Sequence, residues 1–198
     1  MTSMSKADTT RMNILNKAFL LIYMNGYQAT SIDEIIATTQ VTKGALYYHF
    51  KNKDDMGLSI IKEVMYPILY SSTIQPLARA EKPQLEIYKI MRNLLNDEKF
   101  FNVQYGCPFV NLVEEMAPHN TSFSNALKRL VVDWKEAIEC CIEEGKKQGL
   151  IRDNVNGGQV AIFVLSGYSG IRNLGKILGR PCYNAYLKQL KSYLQSLN

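Results

Sequence analysis

The sequence predicts an all-α protein, and two observations carry that prediction. Apolar residues recur at intervals of three and four along nearly the whole chain, whereas strict alternation of apolar and polar residues is almost absent. Hydrophobic residues make up 46% of the 198 residues and charged residues 21%, a balance typical of globular domains rather than of long disordered segments. We therefore expect a folded helical chain, with a small N-terminal domain and a larger C-terminal one.

The first two helices are predicted from their ends. Apolar residues with helical spacing run from about residue 9 to residue 25, and Gly26 suits the C-terminal cap. The second helix begins at Ser31, because Ser31 and Glu34 have the spacing of a capping box. A short helix therefore follows the first after a connection of a few residues.

A third helix is expected over residues 42–49, after a tight turn at residues 39–41. A short helix, a tight turn and another short helix form a helix-turn-helix. We assign residues 9–52 to this domain and residues 1–8 to a flexible N-terminus.

The rest of the chain, residues 53–198, is predicted to form a second helical domain. Its helices are expected at about residues 53–72, 83–100, 108–117, 122–148, 156–178 and 181–197. Asn52 is a good N-terminal cap for the first of them, and Pro67 should kink it. Pro83 fits the first turn of the next helix.

The last two helices are unusually apolar. The stretch VAIFVLSGYSGIRNLGKIL is apolar nearly all round and small at Ser166, Gly167 and Gly170. The final helix carries a series of apolar residues, namely Tyr183, Tyr186, Leu187, Leu190, Tyr193, Leu194 and Leu197. This is more apolar surface than one neighbouring helix covers, so we expect the pair to form a subunit interface.

Charge alone says little about the partner of the protein. The net charge is +5, but residues 1–55 hold six basic and five acidic side chains. Nucleic-acid binding must therefore depend on the local placement of charge. No apolar run approaches the roughly 20 residues that span a bilayer, and the N-terminus lacks a hydrophobic signal core. We expect a cytoplasmic protein with no membrane partner.

The four cysteines are expected to be free thiols. Cys107, Cys140, Cys141 and Cys182 lack the paired spacing of metal ligands, and a reducing cytosol disfavours structural disulfides. The sequence therefore predicts neither a metal site nor a cofactor.

Residues 30–56 are the most informative part of the chain. Apolar side chains sufficient to pack the two short helices on the first are Ile32, Ile35, Ile36, Val41, Leu46 and Phe50. Side chains left without a core to fill are Thr42, Lys43, Ala45, Tyr47, Tyr48 and His49. Such a helix start can enter a major groove, and paired tyrosines with flanking lysines can contact phosphates. The alternatives are that the tyrosines pack the small domain and that Lys43 is an ordinary solvated lysine.

These residues carry a resemblance to a known family. Residues 10–56, and above all VTKGALYYHFKNKDDM, resemble the DNA-binding domain of TetR-family transcriptional regulators, whose signature includes Lys-Gly-x-Leu-Tyr-x-(His/Tyr)-Phe. The later helical layout is similar to that family over the full length. The resemblance implies a regulator, most often a repressor and not an enzyme, that binds a palindromic DNA operator as a homodimer joined through its last two helices.

Carried over by position, the resemblance implies two sets of DNA contacts. Base or groove contacts are expected from Gln40, Thr42, Lys43 and Ala45. Phosphate contacts are expected from Thr30, Tyr47, Tyr48, His49 and Lys53. Family members often have glycine where this chain has Gln40, which bears on the geometry of the turn.

The resemblance also implies that a small-molecule effector binds in the larger domain and changes the separation of the two DNA-reading heads. Candidate pocket residues are Tyr66, Tyr88, Phe101, Tyr105, Cys107, Phe109, Trp134 and Phe163; for each aromatic residue the alternative is ordinary core packing. Few buried charges are evident in the sequence, which favours an apolar or aromatic effector.

Cys107 is a separate candidate for the trigger. It precedes Pro108 at a predicted helix start, where backbone amides favour a reactive thiolate. The segment YGCPFVNLVEEM is similar to one in a TetR-family branch whose cysteine senses electrophiles or oxidants. The alternative is a small buried apolar residue, as cysteine commonly is.

Two other functions stay open at this point. A thiol-dependent enzyme would use Cys107 with His119 as its base, although no orienting residue or oxyanion element accompanies the pair. A DNA-organising protein would bind many sites and respond to no ligand.

Overall fold

The computed structural model describes residues 5–97 and 101–198, and it confirms the all-α prediction for them. The early helices are α1 (Lys6–Asn25), α2 (Ile32–Thr39) and α3 (Lys43–His49). A long helix, α4, covers residues 53–78. It is followed by α5 (Pro83–Asn96), α6 (Pro108–Met116), α7 (Thr121–Lys147), α8 (Gly157–Leu178) and α9 (Pro181–Gln195).

The described residues form two compact units. The first comprises the described residues up to Pro67 together with Asn111–Leu127, and the second comprises those of Ile68–Val110 together with Lys128–Asn198. Helices α4, α6 and α7 each contribute residues to both units. The predicted helix-turn-helix residues 9–52 all belong to the first unit, which also contains the first part of α4.

Helix α1 begins earlier than the sequence prediction. Ser5 is its N-terminal cap, and Ser5 and Asp8 form a capping box, so the helix starts at Lys6 rather than near Thr9. The predicted flexible segment 1–8 therefore falls into two parts: residues 1–4 lie outside the described residues, and residues 5–8 form a helix cap and first turn. Gly26 ends α1 with a positive φ of 91°, as expected for a glycine at this position.

The core of the first unit joins α1 to the two short helices. Helix α1 packs against α2, α3 and the start of α4. Fully buried side chains from these elements are Ile14, Leu15, Ala18, Ile35, Leu46, Phe50 and Met56. The predicted capping box of Ser31 and Glu34 is confirmed at the start of α2, as is the Asn52 cap of α4. Local hydrogen bonds thus set both ends of the helix-turn-helix.

Helix α4 continues past Pro67, as predicted, but it ends at Ala78 instead of near Ser72. Two π-helical turns interrupt it, at Ile61–Met65 and Tyr70–Ile74, and each comes just before a segment that contains a proline, Pro67 or Pro76. Proline has no N–H to donate to the fourth preceding carbonyl, and its ring crowds that carbonyl. A π turn relieves the conflict without ending the helix, which is why the chain stays helical beyond residue 72 as far as Ala78.

The second unit is built around the C-terminal helices. Helix α9 packs against both α8 and α5. Buried residues shared among these elements include Ile87, Met91, Val164, Leu187 and Leu190. Of the seven apolar residues expected at an interface on the last helix, Tyr183, Leu187, Leu190, Leu194 and Leu197 are buried within this chain. Most of the apolar surface of the last helix is therefore buried in the core of the second unit.

Helix α8 leaves one apolar face uncovered. Exposed residues of small or apolar type recur along it at intervals of one to four positions: Ile162, Phe163, Ser166, Gly170, Leu174 and Ile177. Ile177 is 84% exposed and Leu174 is 53% exposed, and a Cβ added at Gly170 would meet no atom within 4 Å. We call these six residues the α8 stripe. A contiguous exposed apolar face of this kind marks an interaction surface.

Among the described residues, no helix combines the length and the apolar character that crossing a bilayer requires. The same residues contain no group of three or more His, Cys, Asp or Glu side chains placed to hold a metal ion.

Candidate functional site

The turn between α2 and α3 depends on a left-handed residue. Gln40 has φ 57° and ψ 23°, the left-handed conformation that glycine adopts most easily. It is the only non-glycine residue with positive φ in the described chain. Gln40 thus takes the backbone conformation that a glycine would supply, and its side chain is exposed.

Helix α3 presents a polar face that the core does not use. Thr42 caps the helix by accepting a hydrogen bond from the Ala45 N–H at 3.2 Å. Leu46 and Phe50 are buried against the rest of the unit, while Tyr48 is 79% exposed and Tyr47 46% exposed. The alternative interpretation, in which the two tyrosines pack the core of this small domain, is therefore wrong.

Lys43 is held in place by an exposed ion pair. Its Nζ lies 3.0 Å from Asp33 Oδ1, and both side chains are largely exposed. The hydrogen bond to Asp33 raises the pKa of Lys43. The charge is available at the start of α3, but a partner must compete with Asp33 for it.

Two of the expected phosphate contacts are placed differently from what the resemblance implies. Thr30 is completely buried, and its hydroxyl donates to the Gly26 carbonyl at 2.7 Å, so this side chain does not suit a phosphate contact. Lys53 is partly buried, with its Nζ 4.4 Å from the centre of the Tyr27 ring. Burial lowers the pKa of Lys53, although nearby carboxylates oppose the effect. His49 is half-buried and packs its ring on Tyr48, with the centroids 5.0 Å apart.

A carboxylate that the sequence did not single out fastens the turn between α1 and α2. Glu115, near the end of α6, accepts hydrogen bonds from the backbone N–H groups of Tyr27 at 2.8 Å and Gln28 at 2.5 Å. Tyr27 in turn donates its hydroxyl to Asp54 at 2.5 Å, and Asn120 donates to the same carboxylate at 3.1 Å. The α1–α2 turn is therefore tied to α6 and to the start of α4 within the first unit.

We predict that Glu115→Ala weakens the first unit locally. The change leaves two backbone N–H groups without their acceptor, which costs about 1–3 kcal/mol of unfolding free energy. Hydrogen exchange should show lost protection at the Tyr27 and Gln28 amides. The exposed Glu136→Ala is the matched control and should leave both amides protected. Unchanged exchange in Glu115→Ala would contradict the assigned role.

The expected pocket residues do not all come together. Tyr66 belongs to the first unit, whereas the other candidates belong to the second. Phe163 is 46% exposed on α8, where its ring packs on Tyr193 at a centroid distance of 4.3 Å, so it lies on the outer face and not in a pocket. Tyr88, Phe101 and Phe109 are half-buried against the core of the second unit. Tyr105, also half-buried, lies in the turn that precedes α6.

Trp134 and Cys107 meet at a third residue, Tyr168. The Trp134 and Tyr168 rings are edge to face with centroids 5.4 Å apart, and the Tyr168 hydroxyl donates to Cys107 Sγ at 3.6 Å. Arg172, one turn further along α8, donates from Nε to the Tyr168 oxygen at 3.3 Å. Burial and the neighbouring Cys107 hold the pKa of Tyr168 well above its usual value.

The expectation that few charges are buried is confirmed for the described residues, where Arg172 is the one buried charged side chain. Arg172 is 0% exposed and lies on the face of α8 that also buries Val164, Tyr168 and Gly175. The helical periodicity of this face could have predicted the burial of Arg172, because Arg172 follows the buried Tyr168 by four positions. The apolar character of the surrounding sequence obscured it.

The position before Cys107 requires glycine. Gly106 has φ 73°, and a Cβ there would overlap Lys176 Cε and lie 3.5 Å from the Arg172 carbonyl oxygen. Only glycine meets both the backbone and the space requirement. Cys107 itself is 4% exposed and directly precedes α6.

All four cysteines are free thiols. Those other than Cys107 differ in their exposure. Cys140 is exposed, whereas Cys141 is buried, and burial raises its pKa to about 12. His119, the candidate base for a thiol enzyme, is exposed in the turn after α6 and belongs to the first unit, whereas Cys107 belongs to the second.

Two family models match the chain. Residues 14–60 match the model of bacterial regulatory proteins of the tetR family, and residues 87–189 match that of the tetracyclin repressor-like C-terminal domain. The second match alone spans more than half of the chain. The protein therefore belongs to the TetR family of transcriptional regulators, which are typically repressors.

Known proteins similar to this chain agree with that assignment. An HTH-type regulator from the lacX 3' region of Lactococcus lactis subsp. lactis is 30% identical over 129 residues, 65% of this chain and 66% of the relative. The HTH-type transcriptional repressor DhaR of Mycobacterium sp. strain GP1 is 24% identical over 81% of this chain and 79% of its own. A TetR-family regulator from Cytophaga hutchinsonii shares the fold, with a TM-score of 0.86 at 18% identity over 100% of this chain and 98% of its own.

Proposed function

We propose that this regulator is a cytoplasmic repressor that binds a palindromic operator as a homodimer and leaves it when an effector binds or a thiol is modified. The observation that carries the DNA-binding part is the exposed face of α3. Thr42, Lys43, Tyr47 and Tyr48 project from a short helix whose apolar side is already buried. A hydroxyl, a cation and two phenols on one small helix suit a groove edged by phosphates.

The base and phosphate contacts are proposed from the same face. Gln40, Thr42, Lys43 and Ala45 lie at the turn and the first part of α3, where they can meet base edges. Tyr47, Tyr48 and His49 lie further along and can meet the phosphates on either side. Lys53 contributes its charge from the start of α4. Thr30 is buried in the turn between α1 and α2, where its hydroxyl bonds to the Gly26 carbonyl, and we assign it no DNA contact of its own.

The dimer is proposed to form through the α8 stripe. Its six residues carry no charge, and they run along most of one helix with only small side chains at Ser166 and Gly170. Small residues let a second helix approach closely, and a two-fold axis brings the same stripe from both copies together. Helix α9 contributes at its edge through Tyr193, which packs on Phe163.

The release step is proposed to begin in the second unit, where Cys107, Tyr168 and Trp134 are in contact. Cys107 is the residue immediately before α6, and Glu115 near the other end of α6 holds the α1–α2 turn. A ligand or an adduct at Cys107 can therefore act on a helix that ends at the DNA-binding unit. Two reading helices must lie about 34–36 Å apart to enter successive major grooves, so a displacement of a few ångströms breaks the fit.

We predict that alkylation of Cys107 releases DNA. The experiment uses a Cys140→Ser background, because Cys140 is exposed and would react first. The Cys107 sulfur bonds to one carbon of the N-ethylmaleimide C=C bond, the π bond breaks, and the neighbouring carbon takes up a proton. The adduct does not fit the buried space beside Tyr168. Treated Cys140→Ser protein should lose operator binding in a gel shift, and the Cys107→Ser, Cys140→Ser double variant should keep it. An equal response in both proteins would remove Cys107 from the mechanism.

A further inference from the structure

Arg172 is a buried cation whose hydrogen bonds are incomplete. Its Nε donates to the Tyr168 hydroxyl at 3.3 Å and its Nη2 donates to the Leu94 carbonyl. Its Nη1 has no hydrogen-bond partner among the described residues, although the side chain is completely buried. An arginine carries five N–H donors, and burying one of them without an acceptor is costly.

The charge of Arg172 also has no opposite charge paired with it in the part of the chain that the structure describes. Within residues 5–97 and 101–198, none of the ion pairs involves Arg172. Burial acts to lower the pKa of this guanidinium, but Tyr168 and Cys107 outweigh that effect, and the group stays charged. Buried charges in proteins are normally paired with an opposite charge. Among the described residues of the second unit, this cation therefore has no anionic partner.

The surroundings of Arg172 are aromatic and rich in donors. Its guanidinium carbon lies 5.0 Å from the centre of the Phe101 ring, 5.4 Å from that of Tyr168 and 5.6 Å from that of Tyr183. Two more buried polar atoms in this cluster, Tyr183 Oη and Trp134 Nε1, have no hydrogen-bond partner within the described ranges, and Trp134 packs directly on Tyr168. All three unpartnered groups have an N–H or O–H to donate. They require an acceptor.

We propose that the cluster around Arg172 is the binding site for a small organic carboxylate with an apolar body. One carboxylate carries the single negative charge that balances one guanidinium, and its oxygens accept from Arg172 Nη1 and the Tyr183 hydroxyl. The apolar body packs on the surrounding rings, while Trp134 offers a further N–H to any acceptor on the ligand. The inference rests on the proposed function, in which this unit binds the effector, and it names the chemical class of that effector.

Residues 101–107 provide the route to the site. They form turns rather than a helix, the ring of Phe101 covers the guanidinium, and Gly106 lies against the Arg172 carbonyl. Turns open at a lower free-energy cost than helices do. A carboxylate that enters here displaces the segment that contains Cys107 and leads into α6, so ligand and thiol act on the same segment.

The test measures binding to the full-length protein without DNA. Isothermal titration and thermal shift compare benzoate and cyclohexanecarboxylate with benzamide and cyclohexanecarboxamide, which have the same shape but no charge. At least one carboxylate should bind about ten times more tightly than its amide, as expected for a charge-assisted pair. Arg172→Gln should abolish that preference, and Arg152→Gln, an exposed arginine in the same unit, should retain it. No preference in the unaltered protein, or an equal preference in Arg172→Gln, overturns the proposal.

A second variant keeps the test decisive if Arg172→Gln does not fold. Tyr183→Phe removes a hydroxyl that bonds to no protein atom among the described residues, so the melting temperature of the ligand-free protein should be unchanged. Its carboxylate affinity should fall severalfold, and an unaltered affinity contradicts the site. Because no DNA is present, a failed operator assay does not affect this result. Carboxylate binding without DNA release would retain the site and contradict the proposed release step.

Discussion

Ile177→Asp should convert the protein to a monomer. Its operator affinity should then fall at least about a hundredfold. Ile177 is 84% exposed in the single chain, so an aspartate there is solvated and the fold is unaffected. In a dimer formed through the α8 stripe, each aspartate would lie in the apolar interface without a counter-charge. Linking two half-site contacts in one dimer raises affinity by about 10²–10⁴ over a single contact.

Light scattering gives the mass of the variant, and a gel shift gives its operator affinity. Leu85→Asp is the matched control, because Leu85 is 46% exposed in the same unit but lies on α5, away from the α8 stripe. It should remain dimeric and bind the operator as before. A dimeric Ile177→Asp protein with unaltered affinity would show that the subunits associate through another surface.

Lys43→Ala should weaken operator binding about tenfold or more while leaving the fold intact. The side chain is exposed and contributes nothing to the core, and each dimer loses the contact at both half-sites. Tyr48→Phe, which removes one exposed hydroxyl, should weaken binding in the same direction by a smaller factor. Lys43→Ala should also reduce the salt dependence of binding if its ammonium displaces counterions from the phosphates.

Asp33→Asn provides a test with the opposite sign. Asp33 holds Lys43 at 3.0 Å in the free protein, so its removal frees the ammonium and takes a negative charge away from the DNA side. Operator affinity should rise.

The control for Lys43→Ala is Lys17→Ala, which removes a positive charge from an exposed lysine on α1 of the same unit and should bind the operator as the unaltered protein does. Normal binding by both Lys43→Ala and Tyr48→Phe would remove α3 as the reading helix.

Local sequence signals predicted the helix-turn-helix well because its ends are set by neighbours in the chain. The Ser31–Glu34 capping box, the Asn52 cap and the Gly26 terminus each involve residues within four positions of one another. The end of α4 was predicted wrongly near Ser72, because the sequence did not indicate the π turn at Tyr70–Ile74 through which the helix continues to Ala78. That outcome depends on how the whole helix packs, which no local pattern reports.

Functional residues were likewise predicted where local sequence decides their position and missed where distant contacts decide it. The exposure of Tyr47 and Tyr48 followed from counting which apolar residues fill the core of a small domain. Glu115 was missed because its partners, the amides of Tyr27 and Gln28, are 87 or 88 positions away. Phe163 was placed in a pocket because aromatic character does not distinguish an inner from an outer helix face. Arg172 was missed because burial of a charge is rare enough that composition argues against it.

Selection of DNA from a pool of random duplexes by the purified full-length protein tests sequence-specific operator binding most directly, since the pool contains every candidate half-site. We expect the selected sequences to share two inverted half-sites with one fixed spacing, and we expect Lys43→Ala protein not to enrich them. Binding that grows with DNA length but enriches no sequence would contradict operator recognition and would instead favour a protein that organises DNA.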